Sequence, residues 1–161
     1  MERSTIIPSA IALAASFTPA HAQFSEEWNL MADQIKSECE SFSDSIAAEE
    51  DTYLVVADAL KFPAHPGPPS RPYACIFLRF DINASGETEN IEAVFKSPDN
   101  LRYAFTREVI NAAKRWKFVV PAEAPDGLTG NYARMDYIPL AGYRYQGNIR
   151  LQAGEPRTPL N

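Results

Sequence analysis

Apolar residues alternate with polar residues over positions 74–82 and, less regularly, over positions 87–96. In the first run the apolar side chains occupy every second position, at Ile76, Leu78, Phe80 and Ile82. A period of two is typical of a half-buried β-strand. The residues between the two runs, Asn83–Gly86, favour a tight reversal of the chain. The pattern therefore predicts an antiparallel hairpin.

Two other stretches have the period of an amphipathic helix. After a turn at Ser97–Asn100, apolar residues recur at intervals of three and four: Leu101, Phe105, Val109, Ala112 and Trp116. A similar stripe follows Ser25, a favourable N-cap residue, and comprises Trp28, Met31, Ile35, Cys39, Phe42 and Ile46. It predicts a helix of about 22 residues. We expect one helix on each face of the hairpin; a short coiled coil is the alternative for the first helix.

The remaining segments complete the predicted domain organisation. Residues 23–60 form an acidic helical segment, whose last part, Thr52–Leu60, fits either a short strand or a helical turn. Residues 61–73 are a proline-rich connector, and residues 147–161 are polar and predicted to be disordered. Ala133–Tyr145 is predicted to be the last strand, with Pro139 favouring the edge of the sheet. The predicted fold is α+β: a small antiparallel three-stranded sheet, in the order strand-strand-helix-strand, with an additional N-terminal amphipathic helix packed on it.

The first 22 residues have the features of a secretory signal peptide. A short apolar run, Ile6–Ala15, is followed by Ala20-His21-Ala22, which predicts cleavage between Ala22 and Gln23. The run is short for a spanning helix, which needs about 20 apolar residues. We therefore expect a protein exported to the periplasm; an uncleaved membrane anchor is the alternative.

Export changes the interpretation of the two cysteines, Cys39 and Cys75. An even number of cysteines in an oxidising compartment favours a disulfide. If the N-terminal helix covers the second face of the first strand, the two residues come together. Two buried thiols are the alternative.

Charge and chemistry exclude several function classes. The net charge is −6, and residues 23–60 contain ten acidic residues and one lysine, which argues against nucleic acid as a partner. Beyond the signal the only histidine is His65, and the sequence lacks Cys-x-x-Cys and glycine-rich phosphate loops. We expect no enzyme, no cofactor and no metal site, although a pair of catalytic carboxylates stays open.

The order of elements resembles the C-terminal domain of the TonB family. The segment Trp116-Lys117-Phe118, followed by Pro121-Ala122, is similar to the Trp-basic-aromatic triplet and Pro-Ala that end the helix in that family. The resemblance covers roughly residues 70–145 and makes residues 74–146 a TonB C-terminal-like domain. The chain departs from the family in one extra residue before Pro121 and in the segment His65–Tyr73, which replaces the usual Tyr-Pro entry.

The resemblance implies peptide recognition by β-strand addition. In the TonB family the last strand pairs with a short segment of an outer-membrane transporter, and here this role falls to an edge strand composed of Arg134, Met135, Asp136, Tyr137 and Ile138. An edge strand that binds nothing is the alternative.

Three functions are consistent with the sequence. The first is a soluble periplasmic protein that binds an extended peptide, associated with TonB-dependent transport, with no membrane span after cleavage. The second is an uncleaved, anchored energy transducer. The third is a structural or enzymatic periplasmic protein that shares only the fold. Partner identity and homodimer formation stay open.

Overall fold

The computed structural model describes residues 26–46, 54–60, 73–101, 103–140 and 144–157. Within these ranges the architecture is α+β, and its elements follow one another along the chain as α1 (Glu26–Ile46), β1 (Ala74–Asn83), β2 (Thr88–Ser97), α2 (Tyr103–Ala113), β3 (Gly127–Leu140), β4 (Arg144–Gln152) and β5 (Glu155–Pro156). The predicted signal peptide, with its Ala22–Gln23 cleavage site, and connector residues 61–72 lie outside the described residues.

The sheet is antiparallel and has the strand order β2-β1-β3-β4. The short β5 pairs with the start of β3 through Leu128 and Thr129. The prediction of three strands is therefore wrong in number. Residues 144–156, most of which were predicted to belong to a disordered tail, instead form β4 and β5, because Ile149 and Leu151 bury part of their side chains against the core.

The predicted hairpin is confirmed, and it consists of β1 and β2. The Asn83 side chain stabilises its turn by accepting hydrogen bonds from the backbone N–H groups of Ser85 and Glu87, both at 3.0 Å. Gly86 has a φ of 80°, and a Cβ atom there would lie 2.1 Å from the carbonyl oxygen of Phe118. This turn therefore requires glycine for both its backbone conformation and its close approach to Phe118.

The larger core lies between the sheet and α2. The alternating residues of β1 contribute their apolar side chains to it, together with α2 and the facing side of β3; its most buried members include Ile76, Leu78, Phe80, Val109 and Met135. The helix is shorter than predicted, since residues 114–116 form a turn in which the Trp116 N–H donates to the Ala113 carbonyl. Trp116 is nevertheless only 2% exposed, because this turn directs it back into the core.

The second face of the sheet packs against α1, as predicted. Phe42 of α1 stacks on Phe95, with ring centroids 4.5 Å apart, and meets Phe77 edge to face at 4.8 Å. Cys39 and Cys75 form the predicted disulfide, with Cα atoms 6.4 Å apart, so α1 is covalently joined to β1.

The segment 54–60 forms neither the predicted strand nor a helical turn. It has a single β-bridge, between Val56 and Phe118. A second bridge joins Lys117 to Glu87, just before β2. Residues 117–119 thus connect the segment to the outer edge of the sheet where β2 begins.

Candidate functional site

The strand predicted to be a free edge lies in the interior of the sheet. Residues 134–137 pair with β1 on one side, where Arg134 faces Phe77, and residues 134–138 pair with β4 on the other, where Arg134 faces Arg150. The edge prediction is wrong because Ala133–Tyr145 is not one strand. The chain leaves β3 at Leu140 and returns as β4 from Arg144, which covers the main-chain groups of β3.

The side chains of the predicted site divide between the two faces. Met135 and Tyr137 are buried in the core beside α2, whereas Arg134 and Asp136 are buried under α1. Ile138 is the one member with substantial exposure, at 39%. Arg134, Met135, Asp136 and Tyr137 are therefore paired on both sides, and Ile138 is paired with β4.

Under α1, two arginines, two carboxylates and a tyrosine form a connected network, which we call the Arg134 cluster: Glu40, Tyr73, Arg134, Asp136 and Arg150. The Arg134 Nε donates to Asp136 Oδ1 at 2.8 Å, and its Nη2 donates to Glu40 Oε1 at 2.7 Å. Arg150 Nη2 donates to the other oxygen of Asp136 at 3.0 Å, and the Tyr73 hydroxyl also donates to Asp136. The cluster therefore joins α1, β3, β4 and the residue before β1.

The pKa values of three members of the cluster depart from their ordinary values. Burial, and then the hydrogen bond to Asp136, raises the pKa of Tyr73 to about 12. Burial alone would lower the pKa of Arg134, but its hydrogen bonds to Glu40, Asp136 and Tyr73 outweigh burial and raise it. The hydrogen bond from Arg134 lowers the pKa of Glu40. Arg134 and Glu40 are therefore charged, and Tyr73 is neutral, throughout the physiological range.

A cavity of about 130 Å³ lies beside this cluster, between α1 and the β3–β4 hairpin. Its walls include Ser43 of α1, Tyr132 and Arg134 of β3, and Arg150 and Gln152 of β4. Arg134 Nη1 is buried and has no hydrogen-bond partner among the described residues. The cavity is thus lined by two cationic side chains, one of which has an unused donor group.

The disulfide lies next to the cluster and fixes its geometry. Cys75 is directly opposite Asp136 in the β1–β3 ladder, and Cys39 precedes Glu40 in α1. The bond therefore holds the helix over the charged part of the sheet.

The free edge of the sheet on this side is β4. Among the described residues, β4 pairs only with β3, so its other side carries unpaired N–H and C=O groups. Sequence reasoning missed this strand. The signal was present in Ile149 and Leu151, which alternate with the polar residues Asn148, Arg150 and Gln152, but it covers only two apolar positions.

Neither helix in the described ranges has an apolar stretch of the length that a membrane span requires. In the same part of the chain, no group of three or more His, Cys, Asp or Glu side chains is placed to hold a metal ion.

No protein-family model matches the chain, and no curated protein matches its sequence.

Proposed function

We propose that the protein binds an extended peptide by β-strand addition to β4. The observation that carries the proposal is that β4, nine residues long, is paired on one side only in the described part of the chain. An incoming peptide gains main-chain hydrogen bonds along such an edge.

The two faces of β4 supply specificity. Ile149 and Leu151 are half-buried towards the α2 face, whereas Asn148 and Arg150 are exposed on the α1 face. Side chains of an added strand lie beside their neighbours on the same face, with Cβ atoms roughly 5 Å apart. The preferred peptide therefore alternates apolar residues with polar or acidic residues.

The opposite edge, β2, suits peptide addition less well. Its pairing with β1 is irregular near Phe77 and between Arg79 and Asp81, and Lys117 bridges to Glu87 at its start. Asn90 has a φ of 52°, which interrupts the extended backbone. Bulges and local covering of this kind protect sheet edges from pairing.

The family resemblance supports the same mode of recognition. The chain order β1, β2, α2, β3 agrees with the strand-strand-helix-strand order of the TonB C-terminal domain. In this chain β4 occupies the side of β3 that the resemblance assigns to a partner, so we place the added strand one position further out.

We further propose a periplasmic location, supported by the Cys39–Cys75 disulfide, and an accessory role in TonB-dependent outer-membrane transport.

The experiment selects peptides from a display library on the oxidised protein and maps the best binder by amide hydrogen exchange. We expect the added protection at alternate amides of β4, since neighbouring N–H groups point to opposite sides of a strand. Protection confined to β2 or to a helix surface would overturn the proposal.

Two proline variants, Gly147→Pro and Asn148→Pro, test the backbone contribution. Both residues are exposed and adjacent, so one of their N–H groups points towards β3 and the other towards solvent. The variant lacking the solvent-facing donor should keep its unfolding midpoint and lose at least about tenfold in peptide affinity, because proline removes a ladder hydrogen bond. Equal peptide affinity in this variant and the wild type would contradict recognition through β4.

A further inference from the structure

Arg134 uses only part of its hydrogen-bonding capacity within the protein. Its Nε and Nη2 atoms form the guanidinium edge that meets Asp136, Glu40 and Tyr73. Nη1 belongs to the remaining side of this planar group; it is buried and has no partner among the described residues, and the side chain as a whole is 4% exposed. A buried charged donor without an acceptor is unfavourable, so its retention calls for a ligand or an ordered water molecule.

The cavity beside Arg134 offers two cationic groups to an anion, and Ile46, Phe77 and Leu151 form the apolar part of its wall. Arg134 and Arg150 both line it, and Ser43 and Gln152 add neutral polar groups. Glu40 and Asp136, the carboxylates of the Arg134 cluster, are not among the described residues that line the cavity. The charged side chains at the cavity wall are therefore both cationic, and each of them is also ion-paired with carboxylates of the cluster.

Size and position favour a small planar anion. The volume of about 130 Å³ holds a carboxylate group with one or two water molecules, since a water molecule in the liquid occupies about 30 Å³. Guanidinium groups match the planar geometry of carboxylates. Arg150 and Gln152 belong to β4, so the cavity lies beside the edge to which we propose that a peptide adds.

We infer that this cavity binds a carboxylate through Arg134 Nη1 and the Arg150 guanidinium, and that the carboxylate belongs to the peptide that adds to β4. The second part rests on the proposed function. The carboxylate comes either from an acidic side chain or from the free C-terminus of the peptide.

The first experiment tests the cavity without any peptide. The oxidised protein is titrated with acetate, and with acetamide as the neutral isostere, at constant ionic strength, while NMR records the arginine Nε–H groups and the Ser43 amide. We expect saturable shifts with acetate only. If acetate causes the same shifts as chloride does, the inference is wrong and water is the partner of Nη1.

Arg134 is too buried to be a safe test position, so the test variant is Arg150→Gln, whose side chain is 52% exposed in the parent protein. It should weaken acetate binding at least fivefold. The matched control, Arg107→Gln, removes the same charge from a side chain that is 61% exposed on α2, and should bind acetate like the wild type. Equal weakening by both variants would indicate a general charge effect and contradict a specific site.

The second experiment uses the peptide selected on β4. Its acidic residues are replaced by their amides one at a time, and its C-terminus is amidated separately. One of these changes should reduce affinity at least tenfold for the wild type and have little effect for Arg150→Gln. If none of these changes lowers the affinity of the peptide, the carboxylate assignment is wrong, but recognition at β4 still holds. Acetate binding without peptide protection at β4 would overturn the proposed function but leave the anion site.

Discussion

At the residue scale, the least expected feature is the burial of Arg134 and Asp136. The alternation along β3 places them on the face opposite Met135 and Tyr137, where a polar pair is ordinarily solvated. In the structure α1 covers this face, and each charged side chain is only 4% exposed. Sequence periodicity predicts which residues share a face, but whether another element covers that face depends on contacts between distant segments.

Asp136→Asn should lower the free energy of unfolding by about 3 kcal/mol, because it leaves the buried Arg134 guanidinium without its buried counter-charge. Denaturant unfolding at neutral pH measures the effect. Glu40→Gln is the control: its side chain is 54% exposed, so the change should be below about 1 kcal/mol. Equal losses in the two variants would show that burial does not control the strength of this network.

Asp81 provides a test of pH dependence. Burial alone would raise its pKa, but hydrogen bonds from Asn90, the Gly130 backbone and Thr129, together with Arg157, outweigh burial and lower the pKa below its ordinary value of 3.8. The unfolded chain therefore takes up the proton first as the pH falls. The stability that the carboxylate contributes is complete above pH 3.8 and is lost as the pH falls through the lowered folded value.

Asp81→Asn should accordingly be less stable than the wild type at pH 7, by about 2 kcal/mol, the size of hydrogen bonds to a charged group. The difference should shrink as unfolding is measured at successively lower pH below 3.8. A difference that stays constant down to the lowest pH would mean that the loss arises from packing and not from charge.

At the element scale, α1 and β1 were predicted well because each has a long, regular apolar pattern. The α1 helix was expected after Ser25 and begins at Glu26, and the strand expected from Ala74 begins there. By contrast, β4 has only Ile149 and Leu151 as clear apolar signals and was predicted to be largely disordered. Its formation depends on pairing with β3, which a local pattern does not report.

The disulfide is the strongest single link between α1 and the sheet. Cys39 and Cys75 are separated by 36 positions, so in the chain-entropy account the closed loop contributes about 4 kcal/mol. The double variant Cys39→Ala/Cys75→Ala should lose stability of this order in denaturant unfolding, with faster amide exchange in α1. The reduced wild type is the control and should lose as much stability as the double variant. A loss below about 1 kcal/mol in both proteins would contradict a structural role for the disulfide.

At the scale of the whole molecule, the sheet order moves the peptide-binding edge from β3, where the sequence predicts it, to β4. With β3 at the edge, residues 134–138 would face a partner; with β4 added, they are interior. The same addition forms the cavity wall, because Arg150 and Gln152 reach it from β4. The edge and the cavity therefore share one structural origin.

Removing residues 144–161 tests whether β4 belongs to the cooperative fold. We expect a loss of about 3 kcal/mol or more, because two half-buried aliphatic side chains contribute about 1 kcal/mol each and Asp136 loses Arg150. Thermal and denaturant unfolding measure it. Removal of residues 158–161 alone is the control and should change little. If the shorter chain unfolded at the wild-type midpoint, the predicted disordered tail would be the correct description.

Local patterns in the sequence were enough to predict the two helices, the β1–β2 hairpin and, with α1 on the second face of β1, the pairing of Cys39 with Cys75. These features depend on local periodicity and turn chemistry, which neighbouring residues encode. The tertiary structure alone decided which strand is the free edge, that Arg134 and Asp136 are buried, and that a cavity with two arginines lies beside β4. Each of these depends on contacts between residues far apart in the chain, and no local pattern specifies them.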